Sequence, residues 1–276
     1  MNRIVGMIFS LTILLAVQPA GAALPAAKIE AELSTLAPYA SADTARLSKV
    51  LVEGTEAWGQ VKDYEAEFLK QETSEGKPGL EEKIFLKFEK PFKIFLGWLN
   101  THKKGLQVFY ERGEHDGKLA IHKPGLMLGL APVVFLDQNS PWVKEGSASF
   151  DIEDAGIGTF LDSFSEDVIE AEKQKKLRTR ILQDDSAGLL AEVEFSDSHK
   201  GDGFMARRVE VFFDAVSKLP TRMALFDEAG TLIGRYAYEK LVLNTGAQSS
   251  VFQGQAFRKL FKLYTHTDDR ARVKRS

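Results

Sequence analysis

Between Pro25 and Trp58 apolar residues recur at helical spacing: Leu47, Val50, Leu51 and Trp58 share one stripe, while Arg46, Lys49 and Glu53 point elsewhere. This predicts a helical region over 25–58, with Ser41 and Asp43 as caps for its second half. After Gly59 the period changes to two. Tyr64, Ala66 and Phe68 alternate with Asp63, Glu65 and Glu67, so the first set is expected to face a core and the second to face water. A turn over 74–79 leads into a strand over 82–88, and Glu89-Lys90-Pro91 reverses the chain into another over 92–99. Strands over 106–111 and 118–122 follow, joined through Gly113-Glu114-His115-Asp116-Gly117, whose Asp-Gly pair suits a hairpin. The pattern is that of an antiparallel meander.

The second and third of these strands are apolar on both faces. Ile84, Leu86 and Phe88 oppose Phe85, then Phe92, Ile94, Leu96 and Trp98 oppose Phe95 and Leu99, so this part of the sheet is not expected to have a fully wet side. One candidate cover is a helix over 155–174, where Ile157, Phe160, Leu161, Phe164 and Val168 form an apolar stripe. Another is the apolar stretch over 126–136, which Gly129 and Pro132 make a loop or a broken helix. Strands then return over 178–183, 190–197, 206–214, 219–226 and 231–243, each join marked by turn residues such as Asp184-Asp185-Ser186 and Asp227-Glu228-Ala229-Gly230. Two runs of strands around a helical interruption, with no parallel crossover helices, give the α+β class: one large antiparallel sheet packed on helices.

Composition narrows the function. The chain has 276 residues, 44% hydrophobic and 27% charged, which excludes collagen-like and disordered classes. It has no Cys, which removes thiol nucleophiles, thiolate zinc sites, disulfides and attachment of lipid to an N-terminal cysteine. A net charge of -3 does not mark the whole chain as a nucleic-acid binder, and none is expected as a partner. Residues 1–22 combine Arg3, an apolar run from Ile4 to Val17 and an Ala20-Gly21-Ala22 end, the features of a secretory signal peptide cleaved before Ala23. The run falls short of the roughly 20 apolar residues that span a bilayer, which favours a processed signal over an anchor. Residues 23–276 are then expected to form a single exported, periplasmic unit that ends in a basic tail over 270–276.

Catalytic patterns are sparse. His115 and His122 lie beside Glu114 and Asp116, but a metal site needs three or four convergent ligands, and the polar tip of a hairpin accounts for the same residues. Ser147 sits in Gly146-Ser147-Ala148 and lacks the nucleophile elbow. Phosphate-cradling glycine loops do not occur. The expectation is a non-enzymatic protein without a cofactor.

Two blocks carry a resemblance. Lys90-Pro91-Phe92-Lys93-Ile94-Phe95-Leu96-Gly97-Trp98, Phe109-Tyr110-Glu111-Arg112-Gly113 and Gly117-Lys118-Leu119 resemble an exported bacterial family known only as a domain of unknown function. Leu219-Pro220-Thr221-Arg222, Phe226-Asp227, Gly230-x-Leu232 and Tyr236-x-Tyr238-x-x-Leu241-x-Leu243-Asn244 resemble it too, and are also similar to the sheet of outer-membrane lipoprotein carriers of the LolA and LolB type. The chain departs from the anchored carriers in having no lipobox cysteine, and the block over 257–264 has no counterpart in the pattern. The resemblance implies a curved, half-barrel antiparallel sheet whose concave face is apolar and closed by helices, with a site there for an acyl chain. Phe68, Leu86, Ile94, Leu96, Trp98, Phe160 and Phe164 are the candidate lining, and a bias of 19 Phe over 6 Tyr and 3 Trp suits either a filled core or a greasy cavity. Arg270, Arg272, Lys274 and Arg275 are candidates for transient contact with anionic lipid head groups. Two functions follow: a carrier or chaperone for a lipid or lipidated protein, or a solid-core interaction protein that docks an envelope complex through a sheet edge or the tail.

Overall fold

A computed structural model describes residues 26–36, 40–74, 76–123, 133–140, 152–196 and 204–246. Three helices and twelve strands lie among them. Helix α1 spans Ala26–Leu36 and α2 spans Ala42–Gln60. Ser41 caps α2 by accepting the Thr44 N–H at 3.1 Å, and Leu47, Val50, Leu51 and Trp58 are its buried stripe, as the spacing predicts. Strands β1 (Asp63–Ser74), β2 (Lys77–Pro78), β3 (Glu82–Glu89), β4 (Lys93–Trp98), β5 (Gln107–Glu111), β6 (Leu119–His122) and β7 (Val134–Leu136) follow. Helix α3 (Ile157–Lys173) then precedes β8 (Leu177–Asp185), β9 (Gly188–Phe195), β10 (Arg208–Asp214), β11 (Pro220–Phe226) and β12 (Leu232–Leu243).

All strand pairs are antiparallel, in the order β7-β6-β5-β4-β3-β1-β12-β11-β10-β9-β8, with β2 paired to β1 off this path. The sheet is therefore two meanders joined by β1 and β12, the first and last of the described strands, and it stays open at β7 and β8. It is curved, with the helices on its concave face, the α+β half-barrel expected from the sequence. An open edge invites pairing with another chain. Helix α2 guards β8: Asp43 accepts the Ile181 N–H at 3.1 Å, and Arg46 makes two hydrogen bonds to Asp184.

Several expectations need correction. Asp63 does not face water but is 6% exposed, because Thr245 donates its N–H and hydroxyl to the Asp63 carboxylate at 2.7 and 2.6 Å. The end of the 126–136 stretch is strand β7, paired in register with β6, rather than loop or helix; residues 126–132 lie outside the described residues. The β5–β6 join is the expected hairpin, its two strands paired antiparallel, and it contains a short 3-10 turn with His115 and Asp116 both left-handed. Residues 1–22, Ser147 and the tail residues Arg270, Arg272, Lys274 and Arg275 also lie outside the described residues.

Candidate functional site: the concave apolar face

Period-two alternation stacks the concave side chains into lateral rows. Tyr64, Phe88, Ile94 and Tyr110 stand in register across β1, β3, β4 and β5. Below them lie Ala66, Leu86, Leu96, Val108 and Ile121, and then Phe68, Ile84 and Trp98. On the other side of β1, Phe68 faces Tyr238, with ring centroids 4.9 Å apart, and Phe68 also stacks on Tyr236 at 6.2 Å. The face continues into β9–β11 through Val193, Val211 and Met223. All of this is one hydrophobic cluster.

Helix α3 lies across that cluster. Ile157, Leu161, Phe164 and Val168 are its buried stripe, and Phe160 stacks on Phe164 with centroids 5.4 Å apart. Its entry is fixed at the centre of the sheet. The Ile157 N–H donates to the Tyr64 hydroxyl at 3.3 Å, and the backbone of Gly156 hydrogen-bonds the Tyr238 hydroxyl. Gly156 has φ +130, a conformation side chains rarely adopt. A Cβ on Gly158 would stand 2.3 Å from the Trp58 ring, so only glycine lets α3 and α2 approach this closely. Just before α3, Glu153 accepts from the Tyr110 hydroxyl and from Arg112 at 3.1 Å. Farther along the helix, Asp167 accepts the Met205 N–H at 2.9 Å, and Lys173 pairs with Glu32 of α1 at 2.8 Å.

The seven candidate residues are thus brought together. Phe68, Leu86, Ile94, Leu96 and Phe164 belong to the buried cluster, whereas Trp98 and Phe160 are only partly buried and pack at its border. Sequence reasoning missed the aromatic group that holds the helix, Trp58, Tyr64 and Tyr238; the Tyr236-x-Tyr238 spacing was a readable signal for two inward-facing tyrosines. The lower end of the same face is polar. Lys70, 6% exposed, lies 3.0 Å from Glu72, which accepts from Tyr236 at 3.1 Å, while Glu82 accepts from the Trp98 indole at 2.8 Å and pairs with Lys103 at 2.6 Å.

The electrostatics of the face favour neutral groups. Burial pushes the Tyr64 and Tyr238 hydroxyls well above the ordinary tyrosine value, so both stay protonated. Burial and the adjoining Glu153 carboxylate push Tyr110 up to about 12. On α3, burial and then Glu166 raise Asp162 to about 6, with Lys90 opposing. Burial likewise raises Asp167 to about 7, against the Met205 N–H and with a smaller push from Glu166. Among the described residues no group of three or more His, Asp or Glu is placed to hold a metal. A cleft of about 460 Å³ opens at the far end of β1, lined by Gly59, Val61, Lys62, Asp63, Glu89, Lys90 and Gly246.

Residues 61–257, from the start of β1 past the end of β12, match the family described as "Protein of unknown function (DUF1571)". The chain belongs to this family. No curated protein matches it in sequence. Among solved structures it is similar to an outer membrane lipoprotein-sorting protein domain from Vibrio parahaemolyticus, at 13% identity over 76% of this chain and 98% of that one, with a TM-score of 0.37. It is also similar to a LolA superfamily protein from Nitrosomonas europaea, at 7% identity over 75% and 97% of the two chains, TM-score 0.34. The MucA/MucB complex structure from Pseudomonas aeruginosa matches at 16% identity over 78% of this DUF1571 chain and 61% of that one, TM-score 0.41. At such values the likeness extends to the arrangement of sheet and helices alone.

Proposed function

We propose that this DUF1571 protein is a non-enzymatic carrier or chaperone that binds a lipid, or the acyl chain of a lipidated protein, against the concave face of its sheet. The observation that carries this reading is the continuity of that face: one apolar cluster runs from β6 to β9, and α3 packs on it as a separate layer, with Phe160 and Trp98 partly buried at its border. Apolar rows bordered by a few polar groups such as Glu82 and Lys70 are the usual make-up of a site for an amphiphile. In this reading residues 1–22 direct export and are removed, residues 23–276 work in the periplasm as one unit, and Arg270, Arg272, Lys274 and Arg275 give a weak, salt-sensitive contact with anionic lipid during transfer.

A second reading, a solid-core interaction protein that docks an envelope complex through a sheet edge or the tail, is favoured by the near-complete burial of Leu86, Ile94 and Phe164. Mass spectrometry of an organic extract of the protein, purified without detergent from its own envelope, separates the two. Bound acyl lipid is expected, reduced several-fold in Phe160→Asp, which alters the partly exposed margin and spares the buried Phe164. A folded protein that yields no lipid establishes the solid-core reading instead.

A further inference from the structure

Helix α3 carries two half-buried carboxylates, Asp162 and Asp167, and neither makes an ion pair among the described residues. At about 100° per residue they fall on opposite borders of the buried Leu161, Phe164 and Val168 stripe, with exposed Glu166 on the outer face between them. The Oδ1 atom of Asp162 is buried without a hydrogen-bond partner. Lys90 of the β3–β4 turn is the cation that acts on Asp162, yet its ammonium donates to the Trp58 carbonyl at 2.5 Å and lies 4.4 Å from the Trp58 ring centroid. Asp167 accepts only the Met205 N–H, and the charged group beside it is again Glu166. The ion pair of Lys173 with Glu32 of α1 is exposed, so it holds the far end of the helix weakly.

A carboxyl group packed between a helix and a core, with no cation to pair, fits its place as the neutral acid and is costly there as an anion. Glu166 adds repulsion to both. The start of the helix is held by neutral groups instead, the Tyr64 and Tyr238 hydroxyls, just after Gly156 with its φ of +130. From this arrangement we infer that α3 is a proton-controlled lid, closed on the concave face while Asp162 and Asp167 are protonated and swinging out from Gly156 when both ionise, which on the carrier reading above frees the apolar face to exchange its lipid. Burial raises Asp162 from 3.8 to about 6 and Asp167 from 3.8 to about 7. The hold on α3 is therefore full below the lower value and is lost as pH rises through the upper ones.

Hydrogen exchange of the full chain at pH 5 and pH 8, corrected for the intrinsic pH dependence of amide exchange, tests the movement without any ligand. Protection of α3 is expected to fall roughly tenfold or more between the two, and at pH 8 to lie well below that of β3 and β10, because the helix opens by itself. Asp162→Asn/Asp167→Asn should remove the fall, and each single variant should remove part of it, which keeps the test decisive if the double variant does not fold. An α3 protected as well as the strands at both pH values overturns the proposal, and so does an undiminished fall in folded variants. Release of a bound fluorescent fatty acid should quicken over the same range; release at one rate from closed and opened α3 also overturns the lid. An α3 that opens with pH in a chain that binds no fatty acid keeps the proton-controlled movement and removes the carrier reading.

Discussion

The two meanders share one concave core yet differ on the convex side. In the N-terminal half Phe95, Phe109, Ala120 and Phe135 stand in register on β4, β5, β6 and β7, and Phe95 and Phe109 are 0% and 1% exposed. In the C-terminal half the equivalent positions are charged. Glu192 on β9 lies between Arg180 at 2.6 Å and Arg208 at 2.9 Å, and Arg208 also reaches Glu210. The apolar residues of β8–β12 mostly alternate with polar ones, Phe212 and Ala224 being buried exceptions on the convex side, while β4 and β5 are buried on both faces. A strand with one wet face has half of its side chains free to vary; a strand buried twice has almost none.

The sharpest way to break this comparison is to truncate a convex-face residue in the buried half. Phe95→Ala is expected to cost about 3–5 kcal/mol, since it opens a cavity in a packed site. Urea unfolding reads the loss as a lowered midpoint. A cost below about 1 kcal/mol would mean that the convex face of β4 is wet after all.

The helical layer is also fixed differently to the two halves, and pH separates the attachments. Over the N-terminal half, α3 is held by hydroxyls of Tyr64 and Tyr110, whose raised values keep them neutral at ordinary pH. Over the C-terminal half it is held by Asp167, which burial raises from 3.8 to about 7. A carboxyl group whose folded value is raised stabilises the fold fully below its unfolded value, and this stabilisation is lost as pH rises towards the folded value. Stability is thus expected to fall between about pH 4 and pH 7, by on the order of 1 kcal/mol per pH unit. Asp167→Asn keeps an acceptor for the Met205 N–H and should flatten that slope. Thermal unfolding of both forms at pH 5 and pH 8 checks it; parallel slopes would remove Asp167 as the cause.

How far the sequence could be read follows from the same contrast. Strands β8–β12 and the stripe of α3 were legible because one face of each is polar, which sets both period and direction. The burial of Phe68, Phe160 and Phe164 was legible for that reason too, whereas on β4, apolar on both faces, period two gives Ile94, Leu96 and Trp98 no preferred side. Strand order was not, because the pairing of β1 with β12 joins distant segments, and local period carries no such information. The burial of Asp63 escaped for the same reason: its partner Thr245 is 182 positions away. Strand β7 escaped because it has three residues, one of them the exposed Phe135, too few to show alternation. The helix anchor was hidden in ordinary glycines, since nothing local marks Gly158 as the contact for Trp58.

The smallest expected effect tests the wet half. Arg180 has 56% of its side chain exposed, so its attraction to Glu192 competes with water and with the entropy of holding a long side chain in place. Removing it also leaves Glu192 paired with Arg208. Arg180→Ala is therefore expected to cost no more than about 0.5 kcal/mol, and that difference should vanish in 1 M salt, where the screening length is about 3 Å. A double-mutant cycle with Glu192→Gln isolates the pair from any change in packing. Coupling above about 1.5 kcal/mol that persists in high salt would mean that the burial of Glu192, which is 7% exposed, outweighs the exposure of Arg180. The convex faces of the two halves would then differ in side-chain chemistry but not in access to water.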